Sequence, residues 1–224
     1  VLKVFGETPF APASKENTLT QNEKQQKLSV YYQNTAGQMV NEYIPGDERS
    51  FTIMALPVPA VGEPYGEIFE EIVKINTLDY KVYEAIQQTI IDALDKGCAA
   101  HIVGKDDNCT DLTIQLHPLQ NPEKETIFEN CVADVNIPVG EVFTSPVLKG
   151  TNGLLHVSKV FLNGYEYKNL KVWFEDGKTT KLSCENFAAE DENQKFISEN
   201  LLYHHDWVPL GEFAIGTNTT AFVM

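Results

Sequence analysis

The segment LLHVSKVFLNGYEYKNLKVWFEDGK (residues 154–178) is rich in β-branched and aromatic residues, which favour strands. It predicts two strands, and its Asp176-Gly177 pair is a dipeptide typical of hairpin turns. Two further short strands are predicted at AAHIVG (99–104) and TDLTIQLH (110–117). The chain beyond about residue 97 is therefore expected to be rich in β-structure.

Strands are also predicted nearer the start of the chain. Val1–Phe5 is one candidate, and LSVYYQN (28–34) and QMVNEYI (38–44), separated by Thr35-Ala36-Gly37, predict a β-hairpin. FTIMALPVP (51–59) has an apolar run between a Gly-Asp turn and prolines, which predicts a buried strand.

The strongest helix signals follow those strands. Pro64 and the acidic residues of YGEIFEEIVKI (65–75) predict the start of one helix. A second helix is predicted from Asp79 to Lys96, ending at Gly97. Its apolar face is expected to consist of four residues: Val82, Ile86, Ile90 and Leu94. We expect this face to pack on the strands that precede it.

Three shorter helices are predicted in the second half. One runs from Asn121-Pro122-Glu123 to Cys131, one spans Glu190–Leu202, and a third opens at Thr219. In the second of these, three apolar side chains are expected to face inward: Phe196, Ile197 and Leu201. The fold class is therefore mixed α/β. We predict two units: residues 1–97, the end of an α/β domain, and residues 98–224, a β-rich domain that is incomplete at its C-terminus.

Composition limits the classes of partner. The formal net charge of −15 argues against a nucleic acid or an anionic membrane, because both attract basic surfaces. No apolar run approaches the roughly 20 residues that cross a bilayer, and the first residues lack the layout of a signal peptide. The four cysteines are far apart and include no C-x-x-C pair. A cytoplasmic protein with reduced thiols is predicted.

Two glutamates occupy similar local contexts. Glu141 lies between Pro138-Val139-Gly140 and Val142-Phe143-Thr144, and Glu212 follows Pro209-Leu210-Gly211 and precedes an apolar strand. A turn thus delivers each carboxylate to the start of an extended segment, which is a rigid position for a ligand. Carboxylates held in this way can bind divalent metals. Taken singly, each is more often a solvated loop glutamate than a metal ligand.

Five segments change that balance, because they occur together and in order. They are NCTDLTIQLH (108–117), NIPVGEVFTSP (136–146), LKGTNGLLHVSKV (148–160), LKVWFEDGK (170–178) and LGEFAIGTN (210–218). Their order and spacing resemble the aminopeptidase T, aminopeptidase S and PepS family of dinuclear metallo-aminopeptidases. IMALPVPAVGEPY (53–65) resembles the end of that family's N-terminal domain.

The resemblance implies a specific chemistry. The family removes N-terminal residues from peptides with two divalent metals, zinc or cobalt, which activate a water for attack on the scissile carbonyl. It implies that Glu141 and Glu212 are metal ligands and that the protein forms a homodimer. Many members carry two glutamates where this chain has Gly140-Glu141, so one family acid is absent here.

The resemblance also implies that ligands are missing from this chain. The family's histidine ligands and a final acid follow the Leu-Gly-Glu segment, so we expect the chain to be an internal fragment that is inactive and leaves its metal sites empty. No residue can be assigned a catalytic role from the sequence. His204 and His205 are not assigned as the missing ligands, because a His pair near a helix C-terminus is explained by the helix dipole.

Two other functions compete with the peptidase. One is a non-catalytic peptide-binding or scaffolding module that has kept this fold and lost its metals, which the absent acid at Gly140 favours. The other is a metal-free hydrolase that uses the two carboxylates as acid and base, as glycosidases do. The ordered segments favour the peptidase.

Overall fold

The structure is a computed structural model that describes residues 21–50, 52–59, 62–132, 136–162 and 165–222. The predicted strand at Val1–Phe5 lies outside these residues. The helices are α1 (Glu23–Tyr43), α2 (Tyr65–Asn76), α3 (Tyr80–Leu94), α4 (Glu190–Asn200) and α5 (Thr219–Phe222), with a 3₁₀ turn at Gly46–Glu48. None of the described helices is long and apolar enough to span a membrane.

Ten strands complete the described part of the chain, and they form three sheets. They are β1 (Ile53–Met54), β2 (Ala99–Val103), β3 (Asp111–Gln115), β4 (Glu129–Cys131), β5 (Asn136–Ile137), β6 (Glu141–Thr144), β7 (Val147–Leu162), β8 (Tyr165–Glu175), β9 (Lys178–Ser183) and β10 (Phe213–Gly216). The predicted mixed α/β class is confirmed. Longer helices dominate before residue 97 and strands after it, while the domain boundary itself stays a prediction.

The hairpin predicted at residues 28–44 is wrong, because α1 runs through both of its strands. The helix begins with a capping box: the Asn22 side chain accepts from the backbone N–H of Gln25, and the Gln25 side chain accepts from that of Asn22. The aromatic residues suggested a strand with a buried face, but Tyr31 is 70% exposed. The cap and the surrounding Glu, Lys and Gln residues outweigh the β-propensity of a few positions.

The buried strand predicted at 51–59 is also wrong in extent and burial. Within residues 52–59, which the structure describes, only Ile53 and Met54 form a strand, and it pairs in parallel with β5. Both side chains are exposed, at 41% and 54%. The prolines at 57 and 59 lack the N–H that a sheet ladder requires, which agrees with so short a strand.

Both predicted helices between residues 64 and 96 are confirmed, but the buried face of α3 is shifted. Ile90 and Leu94 pack against the core as predicted, whereas Val82 and Ile86 are about half exposed, at 52% and 48%. The buried positions of the helix are Gln87 and Ile91. The helix packs on β4 and β6, which follow it in sequence, rather than on the strands before it. The hydrophobic pattern did not identify this face because it contains Gln87. This polar side chain is buried because its hydrogen bonds satisfy its amide.

This shift predicts a difference between two isoleucines of the same helix. Ile91→Ala should lower the free energy of unfolding by about 2–5 kcal/mol, because Ile91 is 1% exposed and belongs to the main core. Ile86→Ala, at a position that is 48% exposed, should change it by no more than about 0.5 kcal/mol. Urea denaturation followed by circular dichroism measures both. Equal losses from the two variants would contradict the observed face.

The largest sheet contains the strands that the sequence predicted most clearly. Its five antiparallel strands are ordered β2-β3-β7-β8-β9. Asp176 and Gly177 join β8 to β9 with positive φ angles of 47° and 68°, as the Asp-Gly signal predicted. One face of the sheet packs on α4, where Ile197 is buried and Phe196 and Leu201 contact the core, as predicted.

The helix predicted from residue 121 to Cys131 is wrong. A turn forms instead, because the Glu125 carboxylate accepts hydrogen bonds from the backbone N–H groups of Gln120 and Asn121. The chain then buries Ile127 and Phe128 and enters β4. This strand is the edge of a three-stranded sheet with the order β10-β6-β4, in which β6 is central.

Candidate metal-binding site

Glu141 is the first residue of β6, the central strand of the three-stranded sheet. Gly140 precedes it with a φ of +126°, so a turn hands the carboxylate to a strand that is fixed on both sides. The Glu141 side chain is half-buried. This is the turn-to-strand context that the sequence predicted.

Glu212 lies at the other end of the same pair of strands. Phe213 pairs with Thr144 and Gly216 pairs with Glu141, so Glu212 comes just before the first pair and Glu141 belongs to the last. The more buried face of this strand pair is formed by Val142, Thr144, Phe213 and Ile215. Alternation places Glu141 on the opposite face, and the same alternation, continued one residue before the start of β10, assigns Glu212 to that face as well.

The register sets the separation of the two backbones. Four residues along a strand span about 13 Å, so the two carboxylates meet only if both side chains extend toward the middle of the sheet. The structure thus places Glu141 in β6 and Glu212 one residue before β10, the neighbouring strand. Their approach to within about 10 Å, expected for ligands of metals ~4 Å apart, stays a prediction.

Glu141 has two polar neighbours: Cys131 on the adjacent strand β4, and Asn136 on β5. Asn136 Nδ2 donates to Glu141 Oε1 at 3.4 Å. Cys131 is the strand partner of Glu141, and burial, followed by the charge of the Glu141 carboxylate, raises the pKa of its thiol to about 11. The thiol is therefore neutral at pH 7, and its S–H is available to the carboxylate.

The turn before Glu141 is held by the segment that follows β10. The backbone N–H of Thr217 donates to the carbonyl of Gly140 at 2.7 Å, and Asn218 Nδ2 donates to that of Val139 at 3.0 Å. A side chain at position 140 would meet Asn218, because an added Cβ would lie 2.5 Å from its Cβ. Position 140 therefore accommodates no acid in this backbone, which gives a physical reason for the departure from the family pattern.

The histidines are placed elsewhere. His101 Nε2 lies 2.7 Å from Asp111 Oδ1 on the five-stranded sheet, and His156 Nδ1 accepts from the backbone N–H of Cys109. His204 and His205 lie in the turn that follows α4. Among the described residues, no group of three or more His, Cys, Asp or Glu side chains could hold a metal.

The sequence alone did not identify the polar side chains behind the site. Gln87 on α3 is fully buried and contacts both Asn130 and Thr217. A polar residue within an otherwise apolar helical stripe was the available signal. The expected helix at Thr219 is present as α5, while Asn218 donates to the Gly140 turn.

Comparison with known proteins identifies the family. A family model described as thermophilic metalloprotease (M29) matches residues 12–222. The chain belongs to this family. The family resemblance inferred from the five ordered segments is thereby confirmed.

Other comparisons add less. Wild-type AmpT from Thermus thermophilus is a solved structure that is 19% identical, with a TM-score of 0.48 over 73% of this chain and 40% of that chain. The M29 chain described here thus spans less than half the length of that protein. No curated protein sequence matches the chain described here.

The donor set fits part of a metal site. Carboxylate oxygens suit divalent cations, and the two glutamates lie at opposite ends of one pair of strands in the small sheet. Catalytic zinc sites generally use three protein ligands, and the described residues bring no such group together. Glu141 and Glu212 can therefore contribute ligands but do not complete a site by themselves.

Proposed function

We propose that this chain forms part of a metallo-aminopeptidase that releases N-terminal residues from peptides. The observation that carries the proposal is the membership of the M29 family together with the position of Glu141 at the start of the central strand. Glu141 and Glu212 are the proposed metal ligands, and zinc or cobalt is the proposed metal. A peptide is the proposed partner.

The chemistry divides between the metal and the chain. A bound divalent metal supplies Lewis acidity and activates water for attack on a peptide carbonyl. The chain holds Glu141 at a fixed strand end and orients its carboxylate with the Asn136 amide beside the neutral Cys131 thiol. Glu212, which is exposed, approaches from the far end of β10.

The chain alone is proposed to be inactive, with its metal positions empty at ordinary concentrations. Two carboxylates favour weakly held, water-rich cations, whereas a hydrolytic zinc site needs further ligands, often histidine. Those ligands would come from residues outside the described ones. A homodimer in the cytoplasm completes the proposal, and the net charge of −15 supports a partner other than nucleic acid.

A second candidate is a non-catalytic peptide-binding module that has lost its metals. Gly140 supports it, since the acid common in the family is absent and the backbone cannot accept one. The two functions differ in metal content. A longer protein carrying this chain that purifies without metal, and lacks histidine ligands beyond residue 224, would be the module.

The experiment compares this chain with a longer protein that contains it, on an aminoacyl chromogenic substrate with added zinc or cobalt. The longer protein is expected to turn over the substrate, and residues 1–224 alone are expected to give no rate above the metal-only background. The control is circular dichroism, which must show that the short chain is folded. Turnover by the short chain at a comparable rate would contradict the proposal that ligands are missing from it.

A further inference from the structure

We infer that Gln87 is a positioning residue for Glu141, an inference that rests on the proposed function. Gln87 lies in the middle of α3 and has no exposed surface. A buried amide is destabilising unless it is hydrogen-bonded. Its hydrogen bonds therefore show what this side chain holds together.

The Gln87 amide joins β4 to the segment that follows β10, and these lie on either side of β6. Its Nε2 donates to Asn130 Oδ1 at 2.6 Å and to the Cys131 carbonyl at 3.1 Å, both on β4. Its Oε1 accepts from Thr217 Oγ1 at 2.9 Å, just after β10. One side chain thus binds β4 on one side of β6 and the segment after β10 on the other.

These contacts surround the N-terminal end of β6, where Glu141 is the first residue. Cys131 is the strand partner of Glu141, and the Thr217 backbone donates to Gly140, the residue before it. Asn130 pairs with Val142, so it shares the buried face on which α3 packs, while Glu141 points from the opposite face. Gln87 therefore acts from behind the sheet, through backbone that surrounds the ligand.

The test uses the 224-residue chain and Mn²⁺, a cation that prefers oxygen ligands. Gln87→Leu removes the amide at similar size, Thr217→Val removes one hydroxyl at nearly constant shape, and Thr217→Ser restores it. Asn193→Ala is the control, because Asn193 is a similarly buried amide with four hydrogen-bonding contacts around α4 and none to β4, β6 or β10. Dissociation constants come from electron paramagnetic resonance of free Mn²⁺, on variants shown to be folded.

We expect Gln87→Leu and Thr217→Val to weaken Mn²⁺ binding about tenfold, within the range seen when residues that support metal ligands are lost. Amide exchange in β6 should accelerate in the same variants and not in β8. Thr217→Ser and Asn193→Ala should bind Mn²⁺ as the unmodified chain does. If the role of Gln87 were purely structural, Asn193→Ala and Gln87→Leu would both lower the free energy of unfolding, and the two variants would not differ in Mn²⁺ affinity.

The outcomes that overturn the inference can be told apart from failure of the proposed function. If Glu141→Gln weakens Mn²⁺ binding while Thr217→Val and Gln87→Leu leave it unchanged, Gln87 does not position the ligand and the proposed function stands. If Glu141→Gln itself leaves the affinity unchanged, the ligand assignment fails and the inference fails with it. If Gln87→Leu does not fold, Thr217→Val still decides, because it alters a single hydroxyl that is only half-buried.

Discussion

Replacement of Glu141 by Gln is expected to lower kcat/KM of the proposed aminopeptidase by more than about 100-fold. Loss of a residue that only supports a metal ligand already costs roughly 10–100-fold, and Gln keeps the shape of Glu while removing the charge that a divalent cation requires. Glu212→Gln should act in the same direction. The measurement is steady-state turnover of an aminoacyl chromogenic substrate, together with metal content after dialysis.

The matched control is Glu175→Gln. Glu175 is an exposed carboxylate at the end of β8, in the five-stranded sheet, so its loss should leave both turnover and metal content unchanged. A decrease in metal content that accompanies the loss of turnover in Glu141→Gln would support a ligand role. Full activity in both Glu141→Gln and Glu212→Gln would exclude these residues as ligands.

Gly140→Ala is expected to destabilise the chain by at least about 1–3 kcal/mol, the cost of holding a side-chain-bearing residue in a sparsely populated backbone region. Gly140 has a φ of +126°, and an added Cβ would lie 2.5 Å from the Cβ of Asn218 and 2.8 Å from its backbone nitrogen. Relief of that contact requires the segment after β10 to move, which breaks the Thr217 to Gly140 hydrogen bond. Gly140→Glu should be equally destabilised, and so should not restore the family's missing acid as an extra ligand.

Gly211→Ala is the matched control, because a Cβ there meets nothing within 4 Å and its φ is not in the left-handed region. Its effect should stay within about 0.5 kcal/mol. Urea denaturation of the three variants measures the difference. If Gly140→Ala is as stable as the unmodified chain, or if Gly140→Glu binds Mn²⁺ more tightly, the geometric explanation for this glycine is wrong.

Local signals predicted some elements well and failed at others. The Asp176-Gly177 turn and the starts of α2 and α3 depend on the chemistry of a few adjacent residues, and all three are confirmed. The segment 28–44 mixes aromatic and β-branched residues with helix formers, and its cap at Asn22 lies outside the pattern that suggested a hairpin. The segment from 121 has a proline at a helix-start position, yet a Glu125 carboxylate closes a turn there instead.

The site shows the same division. Glu141 and Glu212 were identified from their turn-to-strand contexts and from the resemblance to the metallo-aminopeptidases, and the family is confirmed. Their ligand roles stay predictions. Gln87 was not identified, because hydrogen bonds to Asn130 and Thr217 span 43 and 130 residues and leave no local trace in the sequence.

The sequence by itself determined the mixed α/β class, the strong turns and the family, because these depend on short-range patterns and on ordered segments that can be compared directly. Only the tertiary structure decided which face of α3 is buried, why position 140 must be glycine, and how β4 and β10 enclose the start of β6. Each of these depends on contacts between residues far apart in sequence. Such contacts are fixed by the packing of whole elements, which no local pattern encodes.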